Sequence, residues 1–218
     1  MPTAAIKICG ISTPDALDAA IRARAEYAGF VFFAKSPRNV TPAQAAQLSQ
    51  RAEGRITRVG LFVDADDATI AQALAAARLD ALQLHGQETP ERAAQLRARH
   101  GVEVWKALSV ATARDVERAG AYAGAIDRVL FDAKTPAGTL PGGMGLSFDW
   151  SLVANWKGPI AWGLAGGLTP DNVGEAIRRT DAPLVDTSSG VESAPGIKDH
   201  ARIAAFCETV RAQTSQNM

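Results

Sequence analysis

The feature that most constrains this chain is an alternation: short apolar runs rich in β-branched and aromatic residues are followed, eight times, by segments of helical character, most of them rich in alanine. The apolar runs fall at 4–9, 27–33, 58–63, 81–84, 102–108, 128–132, 160–164 and 184–186. The helical segments fall at 14–25, 42–51, 67–77, 90–99, 112–119, 170–179 and 200–212, with only a short stretch at 150–155 after the sixth run. Thr13-Pro14 and Thr41-Pro42 supply start signals. A threonine hydroxyl caps free N–H groups, and proline at the first helical position has no N–H to leave unpaired. No linker or low-complexity break interrupts the series. Regular pairs of this kind predict an α/β fold, a single (β/α)8 TIM barrel over residues 1–218 that forms one catalytic domain. An open doubly wound sheet is the alternative, because periodicity alone does not prove closure.

With 218 residues, of which 47% are hydrophobic, the chain can fill one such core. Lys and Arg total 23, as do Asp and Glu, and zero formal net charge argues against nucleic acid or an anionic membrane as partner. It leaves room for a small cationic pocket. The two cysteines, Cys9 and Cys207, make neither a disulfide framework nor a CxxC metal pattern, which suits a reducing compartment. There is no secretory signal pattern, and no apolar run approaches the roughly 18–20 residues that span a bilayer. A cytoplasmic protein acting on a small molecule, as monomer or homodimer, is the expectation.

A barrel of this kind places its active site at the C-terminal ends of the strands and holds phosphate after strands seven and eight. Strand one ends Lys7-Ile8-Cys9-Gly10, and a period of two puts Lys7 and Cys9 on one face. A thiol beside an ammonium is expected to ionise more readily, and a thiolate can accept a proton. The alternative is a small buried hydrophobe. Strand six ends at Asp132, a carboxyl that is costly to bury unpaired. It serves either as an acid with a raised pKa or in a salt bridge to Lys134 or Lys7. Arg38, in Ser36-Pro37-Arg38, carries a planar fork suited to a carboxylate, with a solvated surface charge as the alternative. Strands seven and eight run into Ala165-Gly166-Gly167 and Asp186-Thr187-Ser188-Ser189-Gly190. Paired glycines allow close backbone approach, and free N–H groups with serine hydroxyls suit a phosphate. His85 closes strand four, either lining the pocket or serving structure. No Cys/His clustering indicates a metal site.

Taken together, Lys7-Ile8-Cys9-Gly10, Gly29-Phe30-Val31-Phe32, Ser36-Pro37-Arg38, Val59-Gly60-Leu61-Phe62-Val63, Leu82-Gln83-Leu84-His85-Gly86, Phe148-Asp149-Trp150, Gly166-Gly167-Leu168 and Asp186-Thr187-Ser188-Ser189-Gly190-Val191-Glu192 resemble the phosphoribosylanthranilate isomerase family. The likeness runs in order over nearly the whole chain. It implies an Amadori rearrangement of N-(5-phosphoribosyl)anthranilate, an aminoaldose, to the 1-deoxyribulose 5-phosphate aminoketose. It implies no metal or organic cofactor, a general base at Cys9 and a general acid at Asp132. Arg38 then grips the anthranilate carboxylate, and Gly166, Gly167, Ser188, Ser189 and Gly190 hold the phosphate. Lys7, His85 and Asp186 complete the candidate substrate-binding set. Two positions depart from the commonest pattern: Met144 stands where a small hydroxyl residue is frequent, and Asn39 where some relatives have an aromatic.

Three alternatives stand beside this one. A related phosphosugar barrel, such as the histidine-pathway isomerase or indole-glycerol-phosphate synthase, uses a carboxylate on strand one or a different set of Lys and Glu residues. A thiol redox protein using Cys9 lacks a nearby resolving cysteine. A non-catalytic phosphosugar-binding barrel is countered by the intact Cys9 and Asp132.

Overall fold

A computed structural model describes residues 4–134, 145–154 and 156–215; Met144 and the glycines at 142 and 143 lie outside the described residues. Eight strands pair in chain order: β1 (Ala5–Cys9), β2 (Tyr27–Phe32), β3 (Thr57–Phe62), β4 (Ala81–Leu84), β5 (Glu103–Val110), β6 (Arg128–Ala133), β7 (Ala161–Leu164) and β8 (Leu184–Thr187). All neighbours run parallel, and β8 returns to pair with β1, so the sheet is closed and the open-sheet alternative is excluded. Around it lie α1 (Pro14–Arg22), α2 (Pro42–Ala52), α3 (Asp67–Ala77), α4 (Pro90–His100), α5 (Ala113–Glu117), α6 (Val173–Thr180) and α7 (His200–Ser215). Among the described residues no helix is long and apolar enough to cross a membrane.

The strand period sorts the two faces. Ile6, Ile8, Phe30, Leu82 and Val129 point outward into the layer shared with the helices, and that outer layer is the larger core. Val59, Ala81, Trp105, Ala107, Leu130 and Leu184 point inward and fill the lower barrel. Trp105 is fully buried there, edge-on to Tyr27 at 5.0 Å and under the Arg128 guanidinium at 5.0 Å. The lower barrel is thus filled by side chains.

Local signals fix the helix starts. Thr13 accepts from the Ala16 N–H at 3.3 Å, and Thr41 and Gln44 form a reciprocal capping box. The expected start of the seventh helix at Pro170 moves to Val173. Asn172 accepts from the Thr169 N–H at 2.8 Å and donates to the Gly167 carbonyl at 2.9 Å, and this local turn competes with helix. Between β6 and β7 the described residues hold only a 3-10 turn, at Trp150–Leu152. A hairpin of β9 (Glu192–Ala194) and β10 (Ile197–Lys198), absent from the sequence expectations, follows β8.

The loops after β3 and β4 are joined by a buried ion pair. Lys106, on the outer face of β5, reaches up to donate to Glu88 at 2.9 Å, to the Gly86 carbonyl at 2.8 Å and to the Leu84 carbonyl at 3.3 Å. Glu88 in turn accepts from the N–H groups of Asp64 at 2.8 Å and Gly86 at 2.9 Å. Both charged side chains are nearly fully buried. Removing one partner strands the other, so Lys106→Met is expected to cost about 3–5 kcal/mol, or about 6–20 °C in Tm for a domain of this size. Thermal unfolding of the purified variant checks it; a shift under 2 °C would show the pair to be expendable.

Candidate active site

The C-terminal mouth of the barrel holds a cavity of about 710 Å³, open to solvent, with Cys9, Arg38, His85, Asp132 and Asp186 in its wall. The loops after β7 and β8 complete that wall through Gly166, Gly167, Ser188, Ser189 and Gly190.

Cys9 forms part of the floor. Gly29 on β2 makes room for it: a Cβ there would lie 2.9 Å from the Cys9 sulfur and 3.2 Å from Lys7 Nζ. The inner-face placement expected of Lys7 and Cys9 therefore holds. The β1–β8 register sets Lys7 opposite Asp186, and Nζ donates to Oδ1 at 3.0 Å. Lys7 is fully buried and not in the cavity wall, so this candidate substrate ligand is an ion-pair partner beneath the floor.

Burial reverses the expectation for the thiol. Burial pushes Cys9 above its ordinary value of 9.0 by more than Lys7 pulls it down, and the Asp186 carboxylate opposes a second negative charge nearby. Lys7 feels the converse. Burial works against its charge, but Asp186 and Cys9 beside it hold its pKa up. Lys7 thus faces both Asp186 and Cys9, and burial outweighs its pull on the thiol.

Asp132 at the end of β6 makes neither of the salt bridges considered from sequence. Lys7 belongs to Asp186, and Lys134 is exposed. Instead His85 Nε2 lies 3.1 Å from Asp132 Oδ2, and Gln83 Nε2 lies 3.3 Å from His85 Nδ1. In the tautomer with its hydrogen on Nε2, His85 accepts from the Gln83 amide and donates to Asp132. The other oxygen, Oδ1, accepts from the Ala133 N–H at 2.9 Å. His85 thus contacts the carboxyl directly and also lines the cavity.

Arg38 is nearly buried, so the solvated-charge alternative fails. Its Nε and Nη2 edge is gripped by Glu192 from β9, with both hydrogen bonds at 2.8 Å. Lys198 from β10 donates to the same carboxylate at 2.7 Å. Burial works against the Glu192 charge, yet Arg38 and Lys198 hold its pKa below the usual range; burial also lowers Lys198. Two cations around one carboxylate leave a net positive charge at this edge of the mouth.

In the loop after β7, Gly166 and Gly167 take φ of 85° and 63°, which side-chain-bearing residues rarely adopt. A Cβ on Gly166 would also come within 3.0 Å of Asp132 Oδ1. Gly190 has another reason for being glycine: it passes against the Leu168 carbonyl, which also accepts from Thr187 Oγ1 at 2.7 Å. The two final loops are therefore fastened to each other beside Ser188 and Ser189.

Beside Cys9 the wall is apolar. Val31 and Leu61 are buried against Cys9, with Phe33 and Val63 partly buried around them. Sequence reasoning named neither this slot, nor Gln83 as the partner of His85, nor Lys198. The slot was legible in principle, because Val31, Phe33, Leu61 and Val63 occupy alternate inner positions near the ends of β2 and β3. Asn39, the other departure noted in sequence, makes a bridge to Val31.

Residues 6–209 match the family model described as N-(5'phosphoribosyl)anthranilate (PRA) isomerase. The N-(5'-phosphoribosyl)anthranilate isomerase of Paramagnetospirillum magneticum is 56% identical over 207 residues, covering 94% of this chain and 96% of that protein. The crystal structure of phosphoribosyl anthranilate isomerase from Thermotoga maritima superposes with a TM-score of 0.86 at 36% identity, covering 96% of this chain and 99% of that one. A second structure, of phosphoribosyl anthranilate isomerase in complex with reduced 1-(o-carboxyphenylamino)-1-deoxyribulose 5-phosphate, superposes with a TM-score of 0.84 at 34% identity and the same coverage. The likeness runs the length of the barrel, and the chain belongs to the N-(5'-phosphoribosyl)anthranilate isomerase family.

Proposed function

We propose that this pocket isomerises N-(5'-phosphoribosyl)anthranilate to 1-(2-carboxyphenylamino)-1-deoxyribulose 5-phosphate, with Asp132 as general acid and Cys9 as general base. Residues 1–218 act as one catalytic domain, in the cytoplasm, as monomer or homodimer. The observation that carries the assignment is convergence: a thiol, a carboxyl, an arginine, the glycine loop after β7 and the serine–glycine loop after β8, from strands far apart in sequence, share one cavity.

The division of labour follows from the chemistry of the wall. The aromatic ring of the substrate suits the apolar slot of Val31, Phe33, Leu61 and Val63, with its carboxylate toward the net positive edge at Arg38. The phosphate belongs with the loops after β7 and β8, where Gly166, Gly167, Ser188, Ser189 and Gly190 present backbone and hydroxyl groups. The sugar then spans the gap between Asp132 and Cys9. Opening the furanose ring transfers the Asp132 proton to the ring oxygen, and the N–H donated by His85 supports the carboxylate left behind. The C=N bond so formed acidifies the C2′ hydrogen. Cys9, as thiolate, takes that proton to give an enolamine, and gain of a proton at C1′ with loss of the enol proton completes the ketone. The substrate's own nitrogen is the electron sink, so the sequence of steps calls on no added group.

The test is conversion of N-(5'-phosphoribosyl)anthranilate, generated in situ, followed by the change in its fluorescence. Rapid turnover by the wild-type protein is expected. Arg38→Ala should raise KM about 10- to 100-fold with a smaller change in kcat, as for loss of a charged hydrogen-bonding anchor. Binding without turnover by the wild type would remove the catalytic assignment.

A further inference from the structure

We infer that Glu192 and Lys198 are positioning residues that tie the two anion-binding ends of the pocket together. This rests on the assignment of Arg38 to the carboxylate and of the Ser188 loop to the phosphate. Neither Glu192 nor Lys198 is in the cavity wall, so each acts through a neighbour that is.

The connection is continuous. Glu192 Oε1 accepts from Arg38 Nε at 2.8 Å and from Lys198 Nζ at 2.7 Å. Glu192 Oε2 accepts from Arg38 Nη2 at 2.8 Å and from the Gly196 N–H at 3.2 Å. Lys198 Nζ continues the chain to the Ser188 carbonyl at 2.9 Å and the Ser188 hydroxyl at 3.3 Å. The two ends also meet over Gly10, where an added Cβ would lie 2.5 Å from Arg38 Cδ and 3.1 Å from Ser188 Oγ. One carboxylate and one ammonium thus set both the plane of the guanidinium and the position of the phosphate loop.

Packing alone does not call for charges here. The side chains of Arg38, Glu192 and Lys198 are 10%, 4% and 1% exposed, and ions so buried are often replaceable by apolar groups without loss of stability. What apolar groups cannot supply is direction, since a carboxylate fixes a guanidinium in plane through two parallel hydrogen bonds. The strands of the carrying hairpin have three residues and two, too few to stand alone. It is held down by Arg202, which donates to the Glu192 carbonyl at 2.5 Å, and by Gly196 lying over the Pro37 carbonyl beside Arg38.

The experiment uses two probes, each carrying one end of the substrate: anthranilate and inorganic phosphate as inhibitors of turnover. Glu192→Gln is expected to raise both inhibition constants and KM by about tenfold, the loss of one charged hydrogen bond, with kcat within about threefold of wild type. In an Arg38→Ala background Glu192→Gln should add nothing to the anthranilate constant, because Glu192 acts on that end through Arg38. Should Glu192→Gln fail to fold, Lys198→Met carries the test, with both constants again rising and phosphate the more affected. A change at one end only, an unchanged pair of constants, or additive losses in the Arg38→Ala background would overturn the inference. If Arg38→Ala itself left the anthranilate constant unchanged, the assignment of the carboxylate end would fall, and this inference with it.

Discussion

Asp132→Asn is expected to lower kcat about 10²- to 10⁴-fold, the range for loss of a positioned general acid, while KM changes little. Asparagine matches the shape of the carboxyl: its oxygen can accept from the Ala133 N–H, 2.9 Å from the native carboxyl, and its amide nitrogen can donate to His85 Nε2, 3.1 Å away, once the ring takes the other tautomer. What it lacks is a proton to give. The loss therefore belongs in kcat, and unfolding of the variant should follow that of the wild type. Steady-state kinetics with a thermal melt decide it. Retention of more than a third of the wild-type kcat would mean that ring opening draws its proton from elsewhere.

The second large effect is at Cys9. Cys9→Ser replaces the thiol by a hydroxyl that ionises far less readily, and kcat should again fall about 10²- to 10⁴-fold. The pH dependence is more telling. Asp132 must give a proton and Cys9 must take one, so the productive arrangement of the pair holds a single proton, on Asp132. Across the range in which the pair holds one proton, the fraction so arranged does not depend on pH. Activity falls on the alkaline side when the last proton leaves, and burial raises the Cys9 pKa, so that descent belongs above pH 9.0, the ordinary thiol value. A profile of kcat/KM that already falls between pH 7 and 8 would show that burial does not raise the Cys9 thiol.

The architecture was legible because it rests on local signals repeated many times. Strand period, alanine-rich helices and the Thr-Pro caps each act within a few residues, and the closed ring of eight strands follows from their order. The hairpin at 192–198 was not legible by period, since its strands have three residues and two; the Pro195-Gly196 turn signal was its one local trace. The positions of Cys9, Arg38, His85 and Asp132 around one mouth followed from the barrel and from the resemblance. Their partners did not. Glu192 is 154 residues from Arg38, and Asp186 is 179 from Lys7, so no local pattern announces either pair. The direction of the Cys9 shift was misread for a related reason: burial of the thiol, which no local pattern announces, outweighs the pull of Lys7, and Asp186 adds to it.

The ion pair beneath Cys9 also bears on how long the protein lasts in use. Peroxide and other electrophiles attack thiolates at exposed sites, and once a cysteine passes the sulfenic stage the damage is largely permanent. Cys9 is 5% exposed and burial raises its pKa, so it presents little of the reactive species between turnovers. Asp186 beneath the floor offsets the pull of Lys7, and the one sulfur that the chemistry depends on is kept chemically quiet until a substrate covers it.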